Sequence, residues 1–573
     1  MLRTQEIQFF NILSPEVGGV RVGLQPSAAV DGTSISPPWE TSSTSEDRNR
    51  NLPDAALMQL TAHPYSPILD FSGSAQEHRS LDFFHGQVAT ILSGYFDSTF
   101  WTRLLPRVGA SEASVKHAMI ALASLYETIL NRGRQSNQAQ QRCTLLQYNK
   151  AIKSLKERLG AGEQALEITL LTCVLFICLE FMRGNPNVAL DHLQSGLQIL
   201  NTSQQPRVIT LCSGSQTRVR KNPAAQETQS IEEELFDIFS RLSIQASLWG
   251  RRPPQIRSSK NDNTIEDLDS ACTPFATIQE AKLSLECILI RCLRPFDPHI
   301  ECDPSVTISD IWKADRERLT AQLRYWNSRH GLLMADSVHP NNIYSLQILQ
   351  MMAIVATIWN SIPLIPEETA FDRHLFDFET IVSLAAVLVD GNAPCSPRAA
   401  SVATSSPSET TSASHRPNFS ALSNIPIPFT FEMGIIPCLY FTAIKCRSPS
   451  VRRRAIRLLC IVIPEQEGLW HARMLAKISS RMVQLEEEGY TPTEVMGTWP
   501  PEEGRIHAAY IHSNYSLEER TQQEALELAS RISKMTLAKP IATAAGRDLP
   551  SIQKNSFTGA FRKDNINAYG YAI

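Results

Sequence analysis

Apolar side chains recur at three- and four-residue intervals along most of the chain, which is the spacing of amphipathic helices. The stripe from Val115 to Ile129 is one example, with Ser111 and Ser114 as start signals and Asn131–Gly133 as the stop. Similar stripes predict helices at 148–159, 168–179, 188–200, 231–249, 277–293, 307–330, 341–360 and 371–389. No region shows the sustained alternation that strands need, and no repeat of solenoid length is present. The pattern therefore predicts an all-α fold, an irregular bundle or array of antiparallel helices with long disordered loops.

Polar segments without a period divide this helical pattern. The N-terminal segment is rich in Ser, Pro, Thr and Asn, and a later insertion in Ser, Thr, Ala and Pro, so both are predicted to be disordered. Residues 201–229 and 251–274 are predicted to be surface loops. The predicted division is a disordered segment at 1–75, a first helical part at 76–390, a disordered insertion at 391–425, a second helical part at 426–534, and a loosely ordered tail at 535–573.

Charge and hydropathy narrow the function classes. The 573 residues include 54 Lys and Arg against 58 Asp and Glu, a net charge of −4, which argues against a chain-wide basic nucleic-acid binder but not a local one. The most apolar run, Ile168 to Leu179, is too short for a membrane span of about 20 residues. The N-terminus does not read as a secretory signal, so the 12 cysteines are expected to be reduced thiols in an intracellular protein.

No catalytic or metal-binding motif emerges. The chain lacks a phosphate-binding glycine loop, GxSxG, HExxH and any CxxC pair. Adjacent Asp191 and His192 could form an acid/base pair, but a polar tie between packed helices is the favoured interpretation. Glu180 ends a very apolar helix and needs a partner, for which Arg183 is the local candidate; a structural contact is favoured over ligand sensing. We therefore predict no catalytic residues, no metal ligands and no identified DNA-binding residues.

One basic run stands out near the C-terminal end of the helical pattern. Its cations, with no acid between them, are Lys445, Arg447, Arg452, Arg453, Arg454 and Arg457. Such a run is compatible with a nuclear-localisation signal or a phosphate-binding patch. Apolar residues interleave with these cations at helical spacing, so one solvated face of an amphipathic helix is the favoured interpretation.

Short sequence pieces, in their order and spacing, resemble the regulatory (middle homology) domain of fungal Zn₂Cys₆ transcription factors. The N-terminal pieces are Gly94-Tyr95-Phe96, Phe100-Trp101, Leu104-Leu105, Val115, His117-Ala118, Ala121-Leu122-Ala123, Leu125-Tyr126, Tyr148, Ala151-Ile152 and Leu155. The central pieces are Leu175 to Glu180, Gly184, Ala189-Leu190, His192-Leu193, Gly196, Phe239, Arg241-Leu242 and Gln245. The C-terminal pieces are Ile436-Pro437, Leu439-Tyr440-Phe441, Ala443, Lys445-Cys446-Arg447, Arg452-Arg453, Ala455-Ile456, Glu467-Gly468-Leu469-Trp470 and Glu486 to Gly489.

The resemblance implies an all-α regulatory domain in a nuclear transcription regulator, with no catalytic residues. It also implies an N-terminal cluster of six cysteines that binds two zinc ions and places a helix in the DNA major groove. The first cysteine here is Cys143, so no such cluster can form in residues 1–142. We expect no cofactor in this chain, and zinc only if a missing upstream cluster exists.

Three function classes follow, in decreasing order of support. The first is a transcription regulator that acts in the nucleus through its helical domain. The second is a partner-dependent coregulator or ligand-sensing module without DNA binding, and an enzyme is a distant third. Expected partners are other transcription-regulatory proteins, with DNA reached only indirectly or through a missing N-terminal segment, homodimerisation left open, and no membrane.

Overall fold

The computed structural model describes most of the predicted helical body. The described residues are 73–96, 98–130, 138–160, 166–203, 223–251, 253–254, 273–293, 308–337, 340–363, 367–391, 427–488, 493, 495, 498–506, 508–510 and 536–538. The predictions of disorder for 1–75 and 391–425 and of a loosely ordered tail at 535–573 fall almost wholly outside these residues.

Helices make up nearly all regular structure in the described part of the chain, which confirms the all-α prediction. The first part contains α1 (Ala75–Phe83), α2 (Ala89–Leu92), α3 (Leu105–Ser111), α4 (Ala113–Leu130), α5 (Gln138–Gly160), α6 (Leu166–Arg183), α7 (Pro186–Ser203), α8 (Pro223–Leu248), α9 (Ile278–Cys292), α10 (Ile308–Asp336), α11 (Pro340–Asn360) and α12 (Leu375–Gly391). Two π-helical turns, Phe84–Val88 and Phe100–Leu104, and a 3₁₀ helix, Glu368–His374, complete it.

The second part is shorter and mixed. It contains β1 (Phe429–Thr430), α13 (Ile436–Lys445), α14 (Pro449–Ile461), β2 (Gln466–Glu467), β3 (Trp470–His471), α15 (Ala472–Glu486), a 3₁₀ turn (Glu502–Gly504), β4 (Ala508–Tyr510) and β5 (Thr536–Ala538). Every side chain of α13 is buried, because this helix packs against α11, α12, α14 and α15.

Local signals in the sequence set the helix boundaries. Ser74 and Glu77 form a capping box at the start of α1, with the Ser74 backbone N–H 2.9 Å from Glu77 Oε2. Between α6 and α7 the chain reverses at Gly184, whose φ of 77° is in the left-handed region that glycine tolerates, and Pro186 opens α7. These signals explain why α6 and α7 pack as an antiparallel hairpin.

The sequence-based predictions missed a small sheet. β1 pairs in parallel with β2, and β2 pairs antiparallel with β3. Two-residue strands are too short to produce a visible alternation, so the sequence pattern did not indicate them. The sheet joins the two parts: the Tyr126 hydroxyl on α4 donates to the Phe429 carbonyl at 3.0 Å, and the Phe431 N–H donates to the Leu92 carbonyl at 3.3 Å.

Two other boundaries differ from the predictions. Helix α8 begins at Pro223, so residues 223–229 are helical rather than loop. Helices were predicted to continue to Lys534, but residues 498–510 contain a 3₁₀ turn and a strand where they are described. The predicted loops at 201–229 and 251–274 otherwise lie largely outside the described residues.

One helix in the described part, α11, is long and apolar enough over Asn342–Asn360 to cross a membrane by length and composition alone. Half of that window is buried within the fold, where α11 packs against α9, α10, α12 and α13. A core helix of this kind passes the same test, so the finding is weak evidence for a membrane span.

Candidate functional site

The structure divides the predicted basic run into two halves with different surroundings. Lys445, Arg447 and Arg452 are 4%, 1% and 0% exposed. The other three cations of the run, Arg453, Arg454 and Arg457, are exposed to solvent. The prediction of one solvated face is therefore wrong for the first half. The reason is that Lys445 ends α13, which is buried on all sides, Arg447 lies in the short connection that follows it, and Arg452 belongs to the buried face of α14.

The buried half forms an ion-pair network that we call the Glu486 cluster: Glu368, Lys445, Arg447, Arg452 and Glu486. Glu368 accepts from Lys445 Nζ at 2.7 Å and from Arg447 Nη1 at 3.0 Å. Glu486 accepts from Arg447 Nη2 at 2.7 Å and from Arg452 Nη2 at 2.8 Å. Arg447 thus lies at the centre, and it fastens the 3₁₀ helix before α12 to the C-terminal end of α15.

Backbone groups complete this cluster. The Ile506 N–H donates to Glu486 Oε1 at 2.9 Å, Arg447 Nη1 donates to the Lys445 carbonyl at 2.9 Å, and Arg452 Nε donates to the Ala443 carbonyl at 3.3 Å. Burial raises the pKa of Glu486, but Arg447 and Arg452 outweigh it and bring the pKa down to about 2. For Arg447 the two effects have the opposite signs: burial lowers its pKa, and Glu486 and Glu368 raise it above its usual value. Glu486, Arg447 and Arg452 are therefore all charged at neutral pH.

A second ion pair encloses the Glu486 cluster on the side of residues 498–506. Arg505 donates through both terminal nitrogens to the Asp372 carboxylate at 2.7 Å, and its Nη1 also reaches the Glu368 carbonyl at 3.1 Å. The Glu502 carboxylate accepts from the Glu368 and Thr369 N–H groups at 2.9 Å each. Bidentate pairing of this kind fixes orientation, so the 498–506 segment is held against the 3₁₀ helix.

A looser group of charges, the Glu286 cluster, lies between α8, α9 and the residues that follow β1: Arg241, Lys282, Glu286 and Glu432. Glu432 accepts from Lys282 Nζ at 2.9 Å and pairs with Arg241 Nη2 at 3.3 Å. Glu286 is 4.0 Å from each of the same two cations. A cavity of about 20 Å³ opens beside these residues, which is room for about one water molecule.

The two carboxyl groups of the Glu286 cluster titrate differently. Burial raises the pKa of Glu286 to about 7, because Arg241 and Lys282 are too distant to compensate. Burial also acts on Glu432, but Arg241 and Lys282 outweigh it and lower the pKa of that carboxyl. Burial raises the pKa of neighbouring Asp237 to about 6. The cluster therefore holds a proton near neutral pH, unlike the Glu486 cluster.

A third buried carboxylate, Glu467 on β2, is held by backbone groups. It is 0% exposed and accepts from the N–H groups of Gly434, Ile435 and Ile436 at 2.9, 3.1 and 3.0 Å. These donors begin α13, where helix N–H groups have no helical partner. Burial raises the pKa of Glu467 to about 7 against the opposing effect of these three hydrogen bonds. Glu467 therefore sets the start of the most buried helix.

The remaining polar candidates are structural. His192 is 1% exposed with its ring 6.0 Å from Phe176, and burial lowers its pKa to about 4. Asp191 points outward, so the adjacent pair does not form an acid/base couple. Glu180 accepts from Arg183 Nη1 at 2.8 Å, as its spacing indicated, and from Asn185 Nδ2 at 2.8 Å.

The described cysteines do not fit the zinc cluster that the resemblance implies. Cys173 and Cys178 lie five residues apart on α6, and Cys438 lies on α13. All three are buried thiols whose pKa values burial raises, whereas zinc binds thiolates. Within the described ranges, no group of three or more His, Cys, Asp or Glu side chains could hold a metal ion.

Sequence reasoning missed Glu368, Glu286 and Glu432, and it named Glu486 and Arg241 only through the resemblance. One signal was available: Arg452 lies in phase with Ala455 and Leu459, at i+3 and i+7, and so belongs to the buried stripe of α14. Glu368 is 79 residues away from Arg447, and nothing in the sequence around Glu368 indicates that they pair. Gln245, from another resembling piece, meets Gly468 and accepts from the Leu469 N–H at 3.4 Å.

Comparison with known proteins adds one relative. The chain is 24% identical over 486 residues to the aspercryptin biosynthesis cluster-specific transcription regulator atnN of Emericella nidulans, covering 74% of this chain and 75% of that protein. No protein-family profile matches the chain, and no solved structure matches it. The relative supports the resemblance to a fungal transcription-factor regulatory domain, and a distant homologue of this chain is thus a fungal cluster-specific transcription regulator.

Proposed function

We propose that this chain is a nuclear transcription regulator that acts through its helical domain rather than through enzymatic chemistry. The observation that carries the proposal is the similarity to a transcription regulator across about three-quarters of both chains. The buried charges support it, since they hold helices together and present no nucleophile with an adjacent base. Nuclear localisation and protein partners of the transcription machinery belong to the same proposal.

A tethering experiment tests this function directly. The full chain is fused to a heterologous sequence-specific DNA-binding domain and expressed in a fungal host with a matching reporter gene. We expect reporter expression to rise or fall relative to the DNA-binding domain alone. A Leu175→Asp variant is the control: Leu175 is 0% exposed, so a buried unpaired charge there unfolds the domain and should remove the effect. An unchanged reporter, with the fusion folded and nuclear, contradicts the proposal.

A partner-dependent coregulator without its own DNA reader is the second candidate. The observation in its favour is that five of the eight described cysteines are buried and that, among the described residues, none belongs to a group of side chains that could hold a metal ion. Zinc content and salt-dependent DNA affinity of the full natural protein separate the two candidates. A DNA reader contributes a negative slope of affinity against salt concentration, and a coregulator does not.

A further inference from the structure

The solvent-exposed faces of α14 and α15 carry several cations and no acid. On α14 the exposed cations are Arg453, Arg454 and Arg457, and on α15 they are Arg473, Lys477 and Arg481. The spacing on α15 is four residues, so its three cations form one stripe about 12 Å long. The two helices pack against each other and both pack on α13, at a spacing of about 8–10 Å typical of helix pairs. We call these six residues the α14–α15 face.

Acids scarcely balance this face. The only acid within α14 or α15 is Glu486, which is buried in its own cluster. Two cations at the ends of the face have acidic partners, Arg453 with Glu487 and Arg473 with Glu465. The other four, Arg454, Arg457, Lys477 and Arg481, have no acidic partner among the described residues.

Helix α5 provides the contrast within the same molecule. Three of its five cations pair with acids: Lys150 with Glu77 at 2.7 Å, Lys153 with Glu157 at 3.8 Å, and Arg158 with Glu112. Helix α10 exposes Lys313, Arg318 and Arg324 but also carries Asp310, Asp315, Glu317 and Asp336, whereas α14 and α15 contain no exposed acid.

The basic stripe of α14 continues into an apolar end. Arg454, Arg457 and Ile461 lie at i, i+3 and i+7, on one helix face, and the Ile461 side chain is 59% exposed. Ile463, just beyond the helix, is 42% exposed. A ligand that matches this surface needs negative charge over most of its length and an apolar group at one end. A nucleic-acid backbone supplies only the charge and would leave both isoleucines against phosphates.

We infer that the α14–α15 face docks an acidic amphipathic helix of a partner protein. This deepens the proposed function by naming the chemistry of one partner. About three turns of helix, with acidic side chains at i, i+3 and i+4 spacing and a large apolar residue at one end, would cover the face.

Binding to a defined probe tests the inference. The probe is a fluorescein-labelled peptide of about 14 residues, which is about four helical turns, with Glu and Asp along one face and Leu and Phe at one end. Affinity for the purified full chain is measured by fluorescence anisotropy. A scrambled peptide of the same composition and a short labelled DNA duplex serve as comparison probes.

Two variants address the charged and apolar ends separately. Arg454→Gln/Arg457→Gln/Lys477→Gln/Arg481→Gln should weaken peptide binding by about tenfold or more, and Ile461→Ser by a smaller factor. The matched control, Arg103→Gln/Arg142→Gln/Lys313→Gln/Arg324→Gln, changes net charge equally at exposed positions elsewhere and should bind like the unmodified chain. Circular dichroism and urea unfolding verify that all variants fold.

Three results would overturn the inference: unchanged affinity in the fourfold variant, an equal loss in the matched control, or equal binding of the scrambled peptide. Tighter binding of the DNA duplex through the same four residues would also overturn it and identify a nucleic-acid surface. The peptide assay uses no reporter, so its failure leaves the tethering result standing. An inactive tethered fusion beside intact peptide binding would instead count against the proposed function.

Discussion

The Glu486 and Glu286 clusters bury the same residue types in two different electrostatic states. Glu486 has cation nitrogens at 2.7 and 2.8 Å and a backbone N–H at 2.9 Å, and its pKa is about 2. Glu286 has two cations at 4.0 Å, and its pKa is about 7. Burial is comparable, so direct hydrogen bonding decides which carboxyl is ionised at neutral pH. The Glu486 cluster therefore keeps its charges around neutral pH, whereas Glu286 in the other cluster gains or loses a proton there.

The largest effect should come from Arg447→Met. The change leaves Glu368 with one cation and Glu486 with one, inside a dry environment, so we expect a loss of about 3–5 kcal/mol in unfolding free energy. Urea unfolding followed by circular dichroism measures it. Arg453→Met on the exposed side is the control, with an expected loss of about 1 kcal/mol or less. Equal losses in the two variants would mean that the Glu486 cluster adds nothing beyond a surface pair.

Glu486→Gln should be the next largest, and it should depend on pH. At pH 7 we expect a loss of about 1.5–3 kcal/mol, because the amide has no negative charge and keeps one acceptor oxygen for the donors that both oxygens of Glu486 bind. The folded pKa lies below the unfolded value of 4.5, so this contribution is present above pH 4.5 and disappears as the pH falls towards about 2. Urea unfolding at several pH values between these limits checks the sign. A difference that grows on acidification would contradict it.

Glu286→Gln should have the opposite pH dependence and a comparable size. The folded pKa of about 7 exceeds the unfolded 4.5, so stability of the unmodified chain falls as the pH rises between these values. Gln cannot ionise, so the variant should gain on the unmodified chain by about 2–3 kcal/mol from pH 4.5 to pH 7. The same unfolding series, with Glu432→Gln as the paired comparison, measures this. A constant difference across that range would place the Glu286 proton elsewhere.

The smallest effect should come from the exposed half of the basic run. Arg453→Gln/Arg454→Gln/Arg457→Gln should change the unfolding free energy by about 0.5 kcal/mol or less per residue. We also expect nuclear accumulation of a fluorescent fusion to persist, because these side chains lie on a folded helix. Loss of accumulation with folding preserved would instead support the localisation interpretation of the run.

Helix positions followed from the sequence where periodicity and end signals agreed. The predicted 277–293 became α9 over Ile278–Cys292, where Thr277 caps the first turn through the Glu280 N–H at 3.0 Å. The start of α8 was missed because residues 223–230 are mostly polar and short in apolar side chains. The sheet was missed because each of its strands is two residues long, and because β1 pairs with a strand 37 residues further along the chain.

Only the basic half of the candidate site could be predicted from the sequence, because its acidic half comes from distant parts of the chain. A local sequence shows cations but not the acids that neutralise them, since Glu486 lies 39 residues from Arg447 and Glu368 lies on the other side of the insertion. Burial of Arg452 could be read from its phase with Leu459, whereas burial of Lys445 required knowing that α13 is covered on every side.

The contacts of Arg447, Tyr126 and Phe431 determine how this domain should respond to proteolysis and truncation. Each links residues before 391 to residues after 427, through Glu368, the Phe429 carbonyl and the Leu92 carbonyl. A protease that cleaves between these positions would separate the polypeptide without separating the domain. The two fragments should co-purify, and each expressed alone would expose charged and apolar surface that its counterpart normally covers. The chain is thus suited to fragment complementation and unsuited to truncation at its most obvious boundary.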